Sequence, residues 1–156
     1  YTGLRHGELL ALTWEDVNIE KRTITVNKSL YHVGGQKTKA PKTEAGTRVL
    51  PLLDRLVEKI TPGTGLIFPN RHGEYMSSGT FTKKYDAYRR ASGVTCTPHQ
   101  LRHAFTTMLI EAGVEPTDAQ GLLGHAQLST TMDIYREIRE IRQEKVRASV
   151  LAVDIE

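Results

Sequence analysis

The sequence holds a single cysteine, Cys96, which excludes a disulfide framework and a multi-cysteine zinc site. No apolar run approaches the roughly 20 residues of a membrane span, and no signal-peptide pattern is visible. These absences point to an intracellular, cytoplasmic protein with no membrane partner. There is no Gly-rich phosphate loop or other cofactor motif. Internal repeats, low-complexity tracts and an interdomain linker are also absent.

What is present is an ordinary globular composition, 38% hydrophobic and 25% charged, which excludes global disorder. At 156 residues the chain is long enough to bury a core of its own, and one domain is expected. It opens on Tyr1 rather than Met, with a chemically rich segment immediately after, so we expect a piece of a longer protein. The net charge is only +3, but its distribution is uneven. Residues 36–48 carry Lys37, Lys39, Lys42 and Arg48 against Glu44, a net of +3. Residues 82–103 carry Lys83, Lys84, Arg89, Arg90 and Arg102 against Asp86, a net of +4, leaving the remainder at −4. Each cluster taken alone is most simply a solvated face. Two of them on an acidic remainder suggest an anionic partner.

Residues 7–12 have the pattern of a short helix, and 22–28 alternate like a strand rich in β-branched residues. Residues 46–51 suggest a second strand, with a polar, basic turn between the two. A helix is expected over 52–60, ending at Pro62-Gly63, and a basic amphipathic one over 79–91. Thr97-Pro98 supplies a capping hydroxyl followed by proline at the first helical position. Leu101, Phe105, Met108 and Leu109 are the expected buried stripe of the helix that follows. Glu115-Pro116 opens another helix, ending at Gly124, and Ser129-Thr130 can cap the next. A charged amphipathic tail, 138–153, closes the pattern. The fold class is therefore α+β, predominantly α-helical with a small antiparallel sheet.

Several residues can carry chemistry. Arg5 and Glu8 lie three apart and share a helix face, as do His99 and Arg102, which together offer donors to an oxyanion. His103 stands four after His99, which invites a metal. The zinc-protease pattern needs Glu directly after the first His, however, and here Gln100 occupies that place. No metal is expected. His125 follows Gly124 at a helix end, where a histidine commonly meets the last carbonyls. Tyr135 alone is one of six tyrosines and most simply a packing residue. Each has an ordinary structural explanation by itself; their joint order along the chain is what stands out.

The words TGLRHGELLALTWEDV (2–17), PKTEAGTRVLPL (41–52), HQLRHAF (99–105) and LLGHAQLSTTMDIY (122–135) occur in that order. This series resembles the catalytic domain of the tyrosine recombinase, or phage integrase, family. The resemblance implies the DNA breaking-rejoining catalytic-core fold. It also implies that 1–156 is a C-terminal catalytic domain, with the N-terminal DNA-binding domain and first helix outside the chain. Arg5 and Arg102 match the arginines that hold the scissile phosphate, and His99 and His125 match the two histidine positions. Tyr135, ten residues after His125, matches the nucleophile. Lys42 best matches the lysine that protonates the leaving 5′ oxygen, with Lys37 and Lys39 in the same turn as alternatives. Glu8 matches an acidic position that supports the site. Lys37, Lys39, Lys83 and Lys84 are the expected DNA-binding lysines. The implied partners are double-stranded DNA and further copies of the chain, a homo-tetramer on DNA.

The chemistry suits these residue types. A phosphodiester anion repels a nucleophile, and two arginine forks relieve that charge bidentately. A free phenol has a pKa of about 10, so about one in a thousand is ionised at neutral pH. Neighbouring cations and a histidine base raise its reactivity. A phosphotyrosine ester keeps the bond energy, so rejoining needs no nucleotide. Three further readings stay open: a type IB topoisomerase-like enzyme, a non-catalytic DNA-binding module on the same scaffold, and a plain helical interaction domain.

Overall fold

The computed structural model describes residues 2–32, 36–39, 47–125 and 127–153. The chain divides into two compact units, Tyr1–Phe105 and Thr106–Glu156.

The first unit opens with helix α1 (His6–Ala11) and a 3-10 turn (Trp14–Asp16). Among the described residues, the strands β1 (Val17–Asn18), β2 (Thr23–Val26), β3 (Ser29–His32), β4 (Gln36–Lys39) and β5 (Arg48–Pro51) follow. They form two antiparallel sheets, β1-β2-β5 and the hairpin β3-β4. In the first, Ile24 pairs with Leu50 and Val26 with Arg48. Alternation along these strands sends Ile24, Val26, Leu50 and Arg48 inward and Val49 outward. Leu10 and Ala11 of α1 pack with Leu30 of β3 and with Met76, flanked by Tyr75 and Phe81. The approach of α1 to β3 is close. A Cβ on Gly7 would stand 2.6 Å from the Leu30 carbonyl oxygen, so only glycine fits there without movement.

Helices α2 (Asp54–Val57), α3 (Ser78–Ser92) and the start of α4 (Pro98–Glu111) complete this unit. Ser77 caps α3 by accepting from the Thr80 N–H at 3.1 Å, and Gly93 ends it at φ 72°. α4 opens on a capping box: Thr97 Oγ1 accepts from the Gln100 N–H at 3.2 Å, and Gln100 Oε1 accepts from the Thr97 N–H at 2.8 Å. Its buried face is Arg102, Phe105 and Thr106. Leu101, expected in the buried stripe, is 48% exposed. The face is rotated by one residue because the Arg102 guanidinium is drawn inward.

The second unit holds the end of α4, then α5 (Pro116–Leu123) and α6 (Leu128–Leu151). α5 has Pro116 at its first position and ends at Gly124 with φ 66°. Ala119 and Leu123 of α5 and Thr131 and Ile134 of α6 are buried. Two sequence expectations are corrected here. α6 begins at Leu128 with Gln127 as its N-cap, so Ser129 and Thr130 lie inside the helix. The tail is not a separate segment but the continuation of α6 to Leu151, with Ile141, Val146, Val150 and Leu151 exposed.

Candidate active site

Arg5 stands at the N-cap of α1 in extended conformation, with φ −68° and ψ 152°. Its backbone N–H donates to Glu8 Oε2 at 2.8 Å, and its guanidinium donates to Glu8 Oε1 at 2.9 Å. The short helix therefore fixes both residues at once. Glu8 is gripped again from the sheet. Arg48 donates through Nη1 to Oε1 at 3.0 Å and through Nη2 to Oε2 at 2.9 Å, a bidentate pair. Both partners are buried, with side chains 6% and 7% exposed, whereas the Arg5 side chain remains 43% exposed. Burial alone would raise the Glu8 carboxyl pKa. The hydrogen bonds from Arg48 and Arg5, with the charge of Arg48, overcome it and bring the pKa from 4.5 down to about 2.

Arg102 comes to the same place from α4. Its guanidinium donates to the Gly3 carbonyl at 2.6 Å and is buried. Burial, then the nearby charge of Arg5, push its pKa down from the usual arginine value to about 10, with Glu8 pulling the other way and Arg48 adding to the fall. Arg102 is thus charged at neutral pH. Arg5, Arg48 and Arg102 gather around the Glu8 carboxylate, a cluster of guanidiniums suited to an anion. His99 sits three residues before Arg102, in the first turn of α4, and is exposed.

In the second unit, His125 follows the left-handed Gly124. Its backbone N–H donates to the Gln120 carbonyl at 3.1 Å, and its own carbonyl accepts from Gln120 Nε2 at 3.1 Å. Its ring Nδ1 lies 2.9 Å from Thr131 Oγ1. Tyr135 stands one turn beyond Thr131 on α6, half-buried. It lines a groove of about 870 Å³ with Thr107, Ile110, Ile138 and Ile141.

Residues 1–142 match the phage integrase family. The chain belongs to that family. The integrase-family chain is 34% identical over 155 residues to the tyrosine recombinase XerA of Pyrococcus furiosus, covering 96% of this chain and 52% of the relative. It is 33% identical over 154 residues to the tyrosine recombinase XerD of Pseudomonas aeruginosa, covering 94% and 49%. The chain therefore spans about half the length of the curated relatives it matches. Among solved structures, the Tn1549 transposon integrase in complex with transposon right end DNA superposes at a TM-score of 0.70 with 26% identity. That match covers 94% of this chain and 56% of the other. The XerA recombinase crystal structure, at 23% identity and a TM-score of 0.67, shares the fold.

Of the residues expected at the site of this integrase-family chain, the structure gathers Arg5, Glu8 and Arg102 in the first unit, with His99 on the helix of Arg102. His125 and Tyr135 belong to the second unit. Lys42 lies outside the described residues, and only the backbones of Lys37 and Lys39 are described, in β4. Lys83 and Lys84 are exposed on α3. Among the described residues, no group of three His, Cys, Asp or Glu is arranged to hold a metal ion. No helix among them is long and apolar enough to cross a membrane.

Arg48 was legible in the sequence only as one charge of a basic cluster. The signal that could have found it is the alternation in Arg48-Val49-Leu50-Pro51: a buried Leu50 puts Arg48 on the same inward face, where it needs a carboxylate. Lys28 is a second cation already engaged. It bridges to the buried Asp16, which also accepts from Thr13 and Asn27. Burial would raise the Asp16 carboxyl pKa, but the Lys28 and Thr13 bonds outweigh it and lower it.

Proposed function

We propose that this chain is the catalytic part of a site-specific DNA recombinase or integrase, which cuts and rejoins strands through a covalent 3′-phosphotyrosine. The observation that carries this reading is the arginine cluster on Glu8, with Arg102 buried beside it and Arg5 exposed. Arg5 and Arg102 hold the two non-bridging oxygens of the scissile phosphate. Their contribution grows in the transition state, where those oxygens gain charge. Glu8 does not touch the phosphate; it fixes the Arg5 fork. His99, one turn before Arg102, donates to the phosphate, and His125 takes the phenolic proton of Tyr135. The phenolate attacks phosphorus, the bond to the 5′ oxygen breaks, and that oxygen leaves with a proton from Lys42, the best family match among Lys37, Lys39 and Lys42. Attack of a 5′ hydroxyl on the phosphotyrosine reverses these steps and frees Tyr135. Both steps are transesterifications, so no cofactor takes part.

Double-stranded DNA carrying an attachment or recombination site is the proposed substrate. Lys83 and Lys84 on α3, with Lys37 and Lys39, neutralise flanking phosphates. The XerH recombinase bound to its difH site and the Tn1549 integrase on transposon DNA, both similar to this chain, support that substrate class. The proposed working form is a homo-tetramer on DNA. The exposed apolar residues of α6, Ile141, Val146, Val150 and Leu151, are offered to a neighbouring copy. The cytoplasm of a bacterium or phage-infected cell is where such DNA is met.

The test is incubation of the full-length gene product with a nicked duplex carrying the recombination site, so that the cleaved end diffuses away and the adduct accumulates. A denaturation-resistant protein–DNA species in the parent, absent from Tyr135→Phe, is expected. DNA binding without an adduct in the parent would replace this reading with a non-catalytic DNA-binding module.

A further inference from the structure

His125 is held through its backbone and through its ring. Its backbone contacts are to Gln120 of α5, in which the His125 N–H donates and its carbonyl accepts. These fix where the residue starts but not how its ring turns. The ring is held with Nδ1 2.9 Å from Thr131 Oγ1. Thr131 is fully buried, 0% exposed, in the face that α6 turns toward α5 beside Ile134. A hydroxyl there is costly unless paired, and position 131 is not a cap: it lies in the first turn of α6, three residues after Leu128.

We propose that Thr131 is the positioning residue of His125, accepting a hydrogen bond from its Nδ1–H. Nε2 then carries the lone pair and is the nitrogen that exchanges a proton. This rests on the reading of His125 and Tyr135 as reaction residues. The direction of the bond follows from what each partner can do. Imidazolium has two N–H donors and no acceptor, so the contact survives protonation only if the oxygen accepts. A carboxylate in this place would hold the ring charged. A hydroxyl orients it and leaves both protonation states available.

The helix gives the contact a second consequence. Thr131 and Tyr135 are four apart on α6 and share a face. The hydrogen bond therefore ties the His125 ring to the same helical turn that carries the phenol. If α6 shifts along its axis, Thr131 and Tyr135 move together, and the histidine follows or loses its partner.

Two substitutions separate the hydroxyl from the shape. Thr131→Val keeps the branched side chain and removes the oxygen; Thr131→Ser keeps the oxygen and removes a methyl. Long-range proton–nitrogen correlation spectra of the chain report the His125 tautomer. The parent and Thr131→Ser are expected as Nδ1–H, and Thr131→Val is expected to lose that single form. On the nicked duplex, the full-length Thr131→Val protein should form adduct about tenfold more slowly, the scale of one lost neutral hydrogen bond. Thr131→Ser should recover most of the rate. A Thr131→Val spectrum that still shows only Nδ1–H overturns the proposal, as does a serine variant no faster than valine. A parent that makes no adduct counts against strand cleavage instead, and the tautomer comparison still decides the hydrogen bond.

Discussion

Removing Arg48 should damage the first unit more than any surface charge would. Arg48→Met keeps most of the side-chain volume on the inward face of β5 but withdraws both bonds to Glu8, at 3.0 and 2.9 Å. A buried carboxylate then keeps only the hydrogen bonds from Arg5, whose side chain is 43% exposed. Breaking a buried pair by deleting one partner costs about 3–5 kcal/mol. The same scale follows from titration. Glu8 falls from 4.5 to about 2 on folding, so the folded state favours its ionised form. At about 1.4 kcal/mol per unit this corresponds to roughly 3 kcal/mol, and to about 2 after allowance for solvent screening. A depressed carboxyl stabilises fully above its unfolded pKa and progressively less as pH falls through its folded one. The contribution is therefore whole above pH 4.5 and fades toward pH 2. Urea unfolding of parent and Arg48→Met should differ by about 3 kcal/mol at pH 7, with the gap narrowing below pH 4.5. The double variant Glu8→Leu/Arg48→Met, which removes both members of the buried pair, should regain part of the stability yet leave the Arg5 fork unheld. Equal unfolding midpoints for parent and Arg48→Met at pH 7 would refute the reasoning.

Other outcomes follow from the same geometry. Gly7→Ala places a methyl 2.6 Å from the Leu30 carbonyl oxygen and should cost about 1–3 kcal/mol in thermal or urea unfolding, with no loss if α1 can slide freely. Asp16→Ala strands the partly buried Lys28 and should destabilise the chain by about 1–3 kcal/mol; an unchanged melting temperature contradicts that. Replacing Lys83 and Lys84 with Ala should flatten the slope of log affinity against log salt by about one per lysine without changing which DNA is preferred. Deleting 141–156 should lower the cooperativity of assembly on DNA and the cleavage yield, whereas parent-like assembly would make the end of α6 a plain structural terminus.

The parts of the fold legible in the sequence were those with strong local signals. Thr97-Pro98, Glu115-Pro116 and Gly124 bound their helices as caps and stops should. β2 and β5 show alternation because one face of each is buried. Gln36–Lys39 forms β4 although it lies in the stretch expected as a turn, Gly34-Gly35 through Lys42, because none of its residues is apolar and there is no period to see. Residues 52–60 look helical but only Asp54–Val57 form a helix, since two short apolar steps do not sustain one. The motif order marked Arg5, His99 and Arg102 in the first unit and His125 and Tyr135 in the second. Arg48 and Thr131 lie inside the same words, but the resemblance gives them no role. Their partners, Glu8 far along the chain and the His125 ring, show only in the folded chain.

The central claim is that a tyrosine of this chain becomes covalently joined to DNA. Its most direct measurement is mass spectrometry of the adduct formed on the nicked duplex, after digestion of the protein and trimming of the DNA by nuclease. The account predicts one modified peptide, with a 3′-linked nucleotide on Tyr135. A nucleotide on any other residue, or DNA cleaved with no peptide attached, would contradict it.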